Sequence, residues 1–281
     1  VNGVVEENWD FRPTRAPWGY RKARWRARFR LRKRFPRFLP LKPAFPSSRW
    51  TILFIYLPDG QLKAAHRFTM ERLRALDRTL MIVCAAPRPE DVPPEILATA
   101  AAVFWKGLDG FDFSAYAIGL NAIADGSPHA DVLVLNDSVL GPFGDLQSLL
   151  DRAPWDLTGF TASPQFENHI QSYAFLFRDL TPQRLQRLRE IFSMTFCYDE
   201  ITTVVACMET CFARVASRSM TVGAFWRGAD DGTDPTVEHG LQLLSQGYPF
   251  VKRSLLGKHR DRVDEALVRK TLLDLGYPTG G

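Results

Sequence analysis

The sequence predicts an α/β domain: a mostly parallel sheet flanked by helices, followed by a helical C-terminal part. Three observations point there. Apolar runs of strand length recur at 50–57, 79–86, 102–105 and 131–136, and they are apolar almost throughout, as strands buried on both faces are. Stretches with helical spacing separate them. Turn residues close several of them. The alternation of strand and helix argues parallel strands joined by right-handed crossovers.

Taken in order, Trp50–Leu57 is a buried strand closed by Pro58-Asp59-Gly60. Phe68, Leu73 and Leu76 among charges predict a helix over 66–78. Thr79–Ala86 is a second strand, ended by a Pro-rich loop. A short helix over 94–101 leads to a third strand, Ala102–Trp105. A helix runs from about Ser114, a fair N-cap, to Ala124. Asp131–Asn136 is a fourth strand and leads into Asp137-Ser-Val-Leu-Gly-Pro-Phe143. Strand-like pieces at 157–161 and 170–177 follow with no obvious helix between them. Residues 181–192, 202–216 and 237–246 look helical, and 261–275 caps the end. The first half reads like a nucleotide-binding fold and the second half is mixed.

Composition excludes several classes. With 281 residues, 46% hydrophobic, 20 Phe and 7 Trp, the chain is neither disordered nor fibrous. Its longest apolar runs fall short of the roughly 18–20 residues a spanning helix needs. The N-terminus lacks a signal-peptide pattern, and Cys84, Cys197, Cys207 and Cys211 read as reduced thiols, so a cytoplasmic protein is expected. Cys207 and Cys211 lie four apart on a helix, but no nearby Cys or His pair completes a metal site, and they read as core. No G-x-G-x-x-G, P-loop or G-x-S-x-G occurs.

Charge divides the chain in two. Residues 1–48 hold thirteen Lys or Arg against three acids, a charge of +10, which leaves −5 on residues 49–281. On a helical wheel Trp25 and Phe29 share one side while Ala27, Leu31 and Phe35 fall on the other, a poor amphipathic helix. The segment therefore reads as a mobile basic arm outside the folded domain of residues 49–281, and a chain beginning near Ser47 is expected to fold without it. Arginines with interspersed aromatics suit an anionic membrane surface through residues 12–42, peripheral at the inner membrane face. A solvated tail is the plainer alternative. Nucleic acid is not expected as a partner, because the acidic body continues no basic track.

Parallel α/β sheets bind ligands outside the carboxyl ends of their strands. Asp112 and Asp137 follow the third and fourth strands there, where a carboxylate holds a ribose hydroxyl or a divalent ion on a diphosphate. Asn136-Asp137-Ser138 is equally good turn chemistry.

Four segments, in order and spacing, resemble the rhamnan synthesis protein F family: Gly110-Phe-Asp-Phe-Ser-Ala-Tyr116, Val132–Phe143, His169-Ile-Gln-Ser-Tyr-Ala-Phe-Leu-Phe177 eight residues after Gly159-Phe-Thr161, and Gly247–Leu256. The match covers roughly residues 50–257. Thr158 stands where the family tends to have Trp before the glycine, and Ala174 where a second aromatic is expected. The resemblance implies a glycosyltransferase of GT-A-like fold, which moves a sugar from a nucleoside diphosphate donor onto a glycan or lipid-linked glycan acceptor in bacterial surface-polysaccharide assembly. A non-catalytic sugar-nucleotide or glycan-binding scaffold on the same fold is the alternative.

That chemistry needs positive charge at the leaving diphosphate. In enzymes of this type a D-x-D-like motif at a strand end usually holds Mg²⁺ or Mn²⁺. Here the slot reads Asn136-Asp137-Ser138, with one carboxylate, so Asp137 is the candidate metal ligand, together with His169 or a carboxylate from elsewhere. A lone His at a strand start is more often simply hydrogen-bonded. A metal-independent reaction would use Lys252 and Arg253 on the phosphates. Asp59, Asp112, Asn136, Asp137, Ser138, Lys252 and Arg253 are the donor-binding candidates. Replacing Asp137 by Asn is expected to spare stability, since a strand-end carboxylate facing a cleft supports little packing. Glu209 matches the family's helix-borne glutamate and is the candidate catalytic base of an inverting reaction; Asp199, Glu200 and Glu167 stand behind it. Pairing of Glu209 with Arg214 is the structural alternative.

Overall fold

The strands 49–56, 79–85, 102–106 and 130–136 alternate their side chains between two apolar layers. Trp50, Ile52, Phe54, Met81, Val83, Val132 and Val134 pack into one, while Leu53, Ile55, Leu80, Ile82, Leu133 and Leu135 pack into the other. A sheet buried on both faces follows directly. The computed structural model describes residues 5–228 and 234–277.

The strands are β1 (Val5–Asp10), β2 (Arg32–Arg34), β3 (Phe38–Lys42), β4 (Arg49–Tyr56), β5 (Thr79–Ala85), β6 (Ala102–Lys106), β7 (Ala130–Asn136), β8 (Val139–Leu140), β9 (Leu157–Ser163), β10 (His169–Ile170), β11 (Ala174–Leu180), β12 (Phe196–Tyr198), β13 (Val222–Gly228) and β14 (Val251–Lys252). The main sheet runs β1-β13-β9-β11-β7-β4-β5-β6-β3, with β10 on β9. Its centre, β7-β4-β5-β6, is parallel, as is β13 on β9. β11 runs antiparallel between β7 and β9.

The helices are α1 (Trp18–Arg30), α2 (Ala64–Arg74), α3 (Pro94–Thr99), α4 (Phe111–Gly126), α5 (Leu146–Asp151), α6 (Pro182–Arg187), α7 (Ile201–Val204), α8 (Thr210–Ala216), α9 (Pro235–Glu238), α10 (Gly240–Ser245) and α11 (Glu265–Asp274). One π-helical turn, Val205–Glu209, joins α7 to α8. The sequence reading has the four parallel strands to within a residue or two. It makes the helix over 181–192 too long, since α6 ends at Arg187, and it misses β13. Ser114 is not the N-cap of α4. Gly110 is, at φ +85°, where a Cβ would sit 2.8 Å from Ser114 Oγ, so only glycine starts the helix there.

The expectation of a mobile arm is corrected from residue 5 onward; residues 1–4 lie outside the described residues. β1 pairs antiparallel with β13, and β3 with β6, so the basic segment supplies both edge strands of the main sheet. β2 pairs with β12. Trp9 is buried, and Asp10 Oδ1 accepts from Trp155 Nε1 at 2.7 Å. α1, despite its poor pattern, is a regular helix anchored by Tyr20 stacked on Phe166 and by Arg24. The buried Arg24 guanidinium pairs with Glu167 and donates to Thr210 Oγ1 at 3.1 Å. The reason is tertiary. These strands find partners 60 to about 220 residues away in the chain, and their exposed charged side chains, Glu6 and Glu7 in β1 and Arg32, Lys33 and Arg34 in β2, stay in water while the backbone pairs.

No helix among the described residues is long and apolar enough to cross a membrane. All four cysteines are free and buried, and Cys207 and Cys211 are core residues as read.

Candidate active site

The carboxyl ends of β4, β6 and β7 open on a cavity of about 660 Å³, the size range of small-ligand sites. Phe54 and Tyr56 end β4, Leu108 and Asp109 follow β6, and Asn136, Asp137 and Ser138 follow β7; the π-turn and Gln171–Tyr173 form the facing wall. Of the candidates, Asp112, Asn136, Asp137, Ser138, Glu209 and Lys252 line it. Asp59 does not: it is exposed and accepts from Gln61 N in its own turn. Arg253 stands behind the wall, donating to the Asp137 carbonyl at 3.1 Å.

Asp112 lies in the first turn of α4, where the helix dipole favours its anion. It accepts from Phe113 N at 2.9 Å and from Asn136 Nδ2 at 3.0 Å. Desolvation nevertheless pushes its carboxyl from 3.8 up to about 6, and the charge of Glu209 adds to the rise. The fold thus keeps Asp112 protonated where the unfolded chain has lost its proton. That contribution to stability is full below pH 4 and lost as the pH rises through 6. Asp112→Asn, which cannot ionise, should remove the fall. Between pH 4 and 7 it should gain on the order of 2 kcal/mol relative to the unsubstituted chain in thermal unfolding. Parallel pH curves for the two proteins would refute this.

Asn136 Oδ1 accepts from Ser138 N at 3.0 Å and from Ser138 Oγ at 2.6 Å, folding the Asn-Asp-Ser loop on itself. Asp137 Oδ2 accepts from Tyr56 N at 3.2 Å and lies 3.3 Å from His66 Nε2 and 3.6 Å from Arg253 Nη1. Lys63 N donates to His66 Nδ1, which leaves Nε2–H to face the carboxylate. Asp137 therefore braces β4, α2 and the segment after β14, which corrects the expectation that it supports little. Asp137→Asn should cost stability, about 1 kcal/mol or a few degrees in the unfolding midpoint. An unchanged midpoint would show that the brace carries no weight.

The pairing of Asp137 with His169 is also corrected. His169, on β10, is buried, gives Nδ1–H to the Glu167 carbonyl at 2.9 Å, and places Nε2 3.8 Å from Glu209 Oε1. It does not line the cavity, and its acidic neighbour is Glu209. Among the described residues no group of three His, Cys, Asp or Glu side chains is arranged to hold a metal ion. Asp137 and His169 therefore belong to different clusters and do not form one site.

Glu209 ends the π-turn, a distortion frequent at functional sites. Its Oε2 accepts from Ser172 Oγ and, at 3.3 Å, from Ser172 N. The Arg214 alternative does not hold: Arg214 lies 3.6 Å from Glu167 instead. Glu167 is buried between Arg24 and Arg214 and has no access to the cavity. Glu200 accepts from the hydroxyls of Thr202 and Thr203 beside it. Asp199 does line the cavity, accepting from Gly110 N at 3.1 Å.

Lys252, in β14, lies 4.5 Å over the Tyr173 ring. The cavity otherwise presents six carboxylates: Asp109, Asp112, Asp137, Asp199, Glu209 and Asp234. Sequence reasoning missed Asp109, Gln171, Ser172 and Asp234, and it missed Lys106. That lysine is fully buried at the end of β6, and Nζ donates to the Gly107 and Asp109 carbonyls, both at 2.8 Å, to fix the loop that forms one wall. Burial pushes it down to about 8. A lysine closing an apolar strand was the one available signal.

No family model matches the chain. Over 126 residues it is 41% identical to the virulence protein VirA of Vibrio anguillarum, a match that covers 43% of this chain and 40% of that relative's length. Among solved structures it is similar to the inositol-1-phosphate CTP transferase from T. maritima, with a TM-score of 0.42 and 12% identity over 72% of this chain and 97% of the other. The 4-diphosphocytidyl-2C-methyl-D-erythritol synthase from Anaerococcus prevotii gives a TM-score of 0.40 and 12% identity over 71% and 96%.

Proposed function

We propose that the chain is a glycosyltransferase of GT-A-like fold, which moves a sugar from a nucleoside diphosphate donor onto a growing surface polysaccharide at an anionic membrane face. The observation that carries this reading is the cavity at the carboxyl ends of the parallel strands, where Asp112 and Asp137 on the strand side meet Glu209 on the facing wall. The four motifs that resemble the rhamnan synthesis protein F family support it, since three of them contribute residues to that cavity and the fourth contributes Lys252.

In this reading Glu209 takes the proton of the acceptor hydroxyl, whose oxygen bonds to the anomeric carbon. The bond from that carbon to the diphosphate oxygen breaks, its electron pair leaves with the nucleoside diphosphate, and the configuration inverts. Ser172 aims the base by holding Oε2. Lys252 offsets charge on the leaving group, and Asp112 and Asn136 hold donor hydroxyls.

Thermal-shift titration with nucleoside diphosphate sugars, followed by product analysis, tests the proposal. The titration is run with and without Mn²⁺, because six carboxylates against Lys252 leave a diphosphate short of positive charge. Stabilisation by a donor and transfer of its sugar are expected. The binding-scaffold reading draws on Asp137, whose carboxylate is already engaged by His66 and Arg253. Donor binding with neither transfer nor hydrolysis would select it.

A further inference from the structure

α1 faces the protein with the wrong side for an ordinary surface helix. Its inner face carries Tyr20, Arg24 and Ala27, and Arg24 is buried there. Its outer face carries Trp18, Trp25 and Phe29, which are 71%, 65% and 62% exposed. At a helical repeat of 3.6 residues these three fall within about 40° of one another, a single ridge along the helix. Lys22 and Arg26 flank the ridge on one side and Arg21 on the other. Arg21 lies 5.7 Å over the Trp18 ring, Arg32 lies 5.8 Å over Phe29, and Trp25 meets Phe29 edge-on at 5.5 Å. No acid occurs from Phe11 to Pro58. Arg28, next to Arg21 around the helix, is engaged by Glu190.

Three large aromatics on one exposed ridge mark an interaction surface. The flanking charge decides its partner. A second copy of the same face would bring like charges together. A bilayer with anionic headgroups meets both features at once, aromatic rings at headgroup depth and cations on the phosphates, for a helix lying in the surface plane.

We propose that α1 docks on an anionic lipid surface, with Trp18, Trp25 and Phe29 inserted at headgroup depth and Arg21, Lys22 and Arg26 on the lipid phosphates. The transferase reading supplies the purpose, an acceptor held at a membrane, whereas the lipid contact rests on residues of α1 outside the cavity. The two are connected in the fold. Arg24, on the inner face of the same helix, donates to Thr210, the residue after Glu209. A docked α1 is thereby tied to the turn that carries the proposed base.

The test is co-sedimentation of the whole chain with phosphatidylcholine vesicles that contain or lack roughly 30% phosphatidylglycerol. Binding is expected only with the anionic lipid, with a blue shift of tryptophan emission. Replacing Trp18, Trp25 and Phe29 together by Ser should weaken it by about tenfold or more, with unchanged unfolding midpoint and unchanged donor-induced stabilisation. Should that variant misfold, Arg21→Gln with Lys22→Gln and Arg26→Gln should weaken binding to the anionic vesicles. The inference is overturned by absence of binding to the anionic vesicles, or by folded variants that bind them as well as the unsubstituted chain does. It is overturned as well if the ridge substitutions abolish self-association or duplex DNA binding while leaving vesicle binding intact. Vesicle binding without any sugar transfer would sink the transferase reading and leave this one standing.

Discussion

Glu209→Gln is expected to cut turnover by about 10²–10⁴-fold while leaving the protein folded. The glutamine keeps the volume of the side chain and an oxygen that accepts from Ser172 Oγ and N. It loses the negative charge and, with it, the ability to take a proton. The side chain is 22% exposed at the cavity wall, so the exchange leaves no buried group stranded, and the unfolding midpoint should move by no more than about 2 °C. Donor-induced stabilisation should survive, which separates loss of chemistry from loss of binding. A second readout follows from Asp112, whose rise to about 6 includes a contribution from the Glu209 charge. With that charge removed, the pH step assigned to Asp112 should move to lower pH. Near-normal turnover would remove Glu209 from the mechanism and bring forward Asp199, the remaining carboxylate candidate on the cavity wall. A product that retains the donor's anomeric configuration would remove the need for such a base altogether.

Deleting residues 1–46 is expected to abolish cooperative folding, contrary to the reading of that segment as a detachable arm. The deletion strips β1 from β13 and β3 from β6, and leaves the backbone donors and acceptors of both new edges unpaired. It removes Trp9 from the core and the Asp10 partner of Trp155. It also takes Arg24 from Glu167, a carboxylate 4% exposed, which leaves Arg214 as its remaining partner; breaking a buried pair costs up to about 3–5 kcal/mol. Together with the lost edge strands this consumes most of the roughly 5–15 kcal/mol that holds a domain together. Insoluble protein or a broad, non-cooperative melt is the expected result. A soluble monomer with a sharp transition within a few degrees of the full chain would refute it. The narrower substitution Arg24→Ala should lower the midpoint without abolishing folding, because Arg214 still reaches Glu167 at 3.6 Å.

The parallel centre of the fold is legible in its apolar runs alone. Trp50–Leu57, Met81–Ala86 and Val132–Leu135 are apolar at every position or nearly so, and a strand with that pattern is stable only when buried on both faces. The strand ends followed, and with them Asp112, Asn136 and Asp137, because the carboxyl end of a parallel strand is a matter of chain direction alone. Glu209 and Lys252 reached the cavity through their resemblance to family motifs, with no local pattern to mark them. The remaining features depend on contacts between residues far apart in the chain. His169 sits beside Glu209 and Asp137 beside His66, and no local pattern shows which of two distant carboxylates a histidine will meet. The edge strands β1 and β3 were illegible for the same reason. Their hydrogen-bonding partners lie in β13 and β6, and the acids of β1 and Pro40 within β3 hide a backbone that pairs as any strand does. α1 is the sharpest case. Its residues read as a poor helix because its apolar ridge and its buried face are different faces, and only contact with Glu167, Thr210 and Phe166 reveals which one the protein keeps.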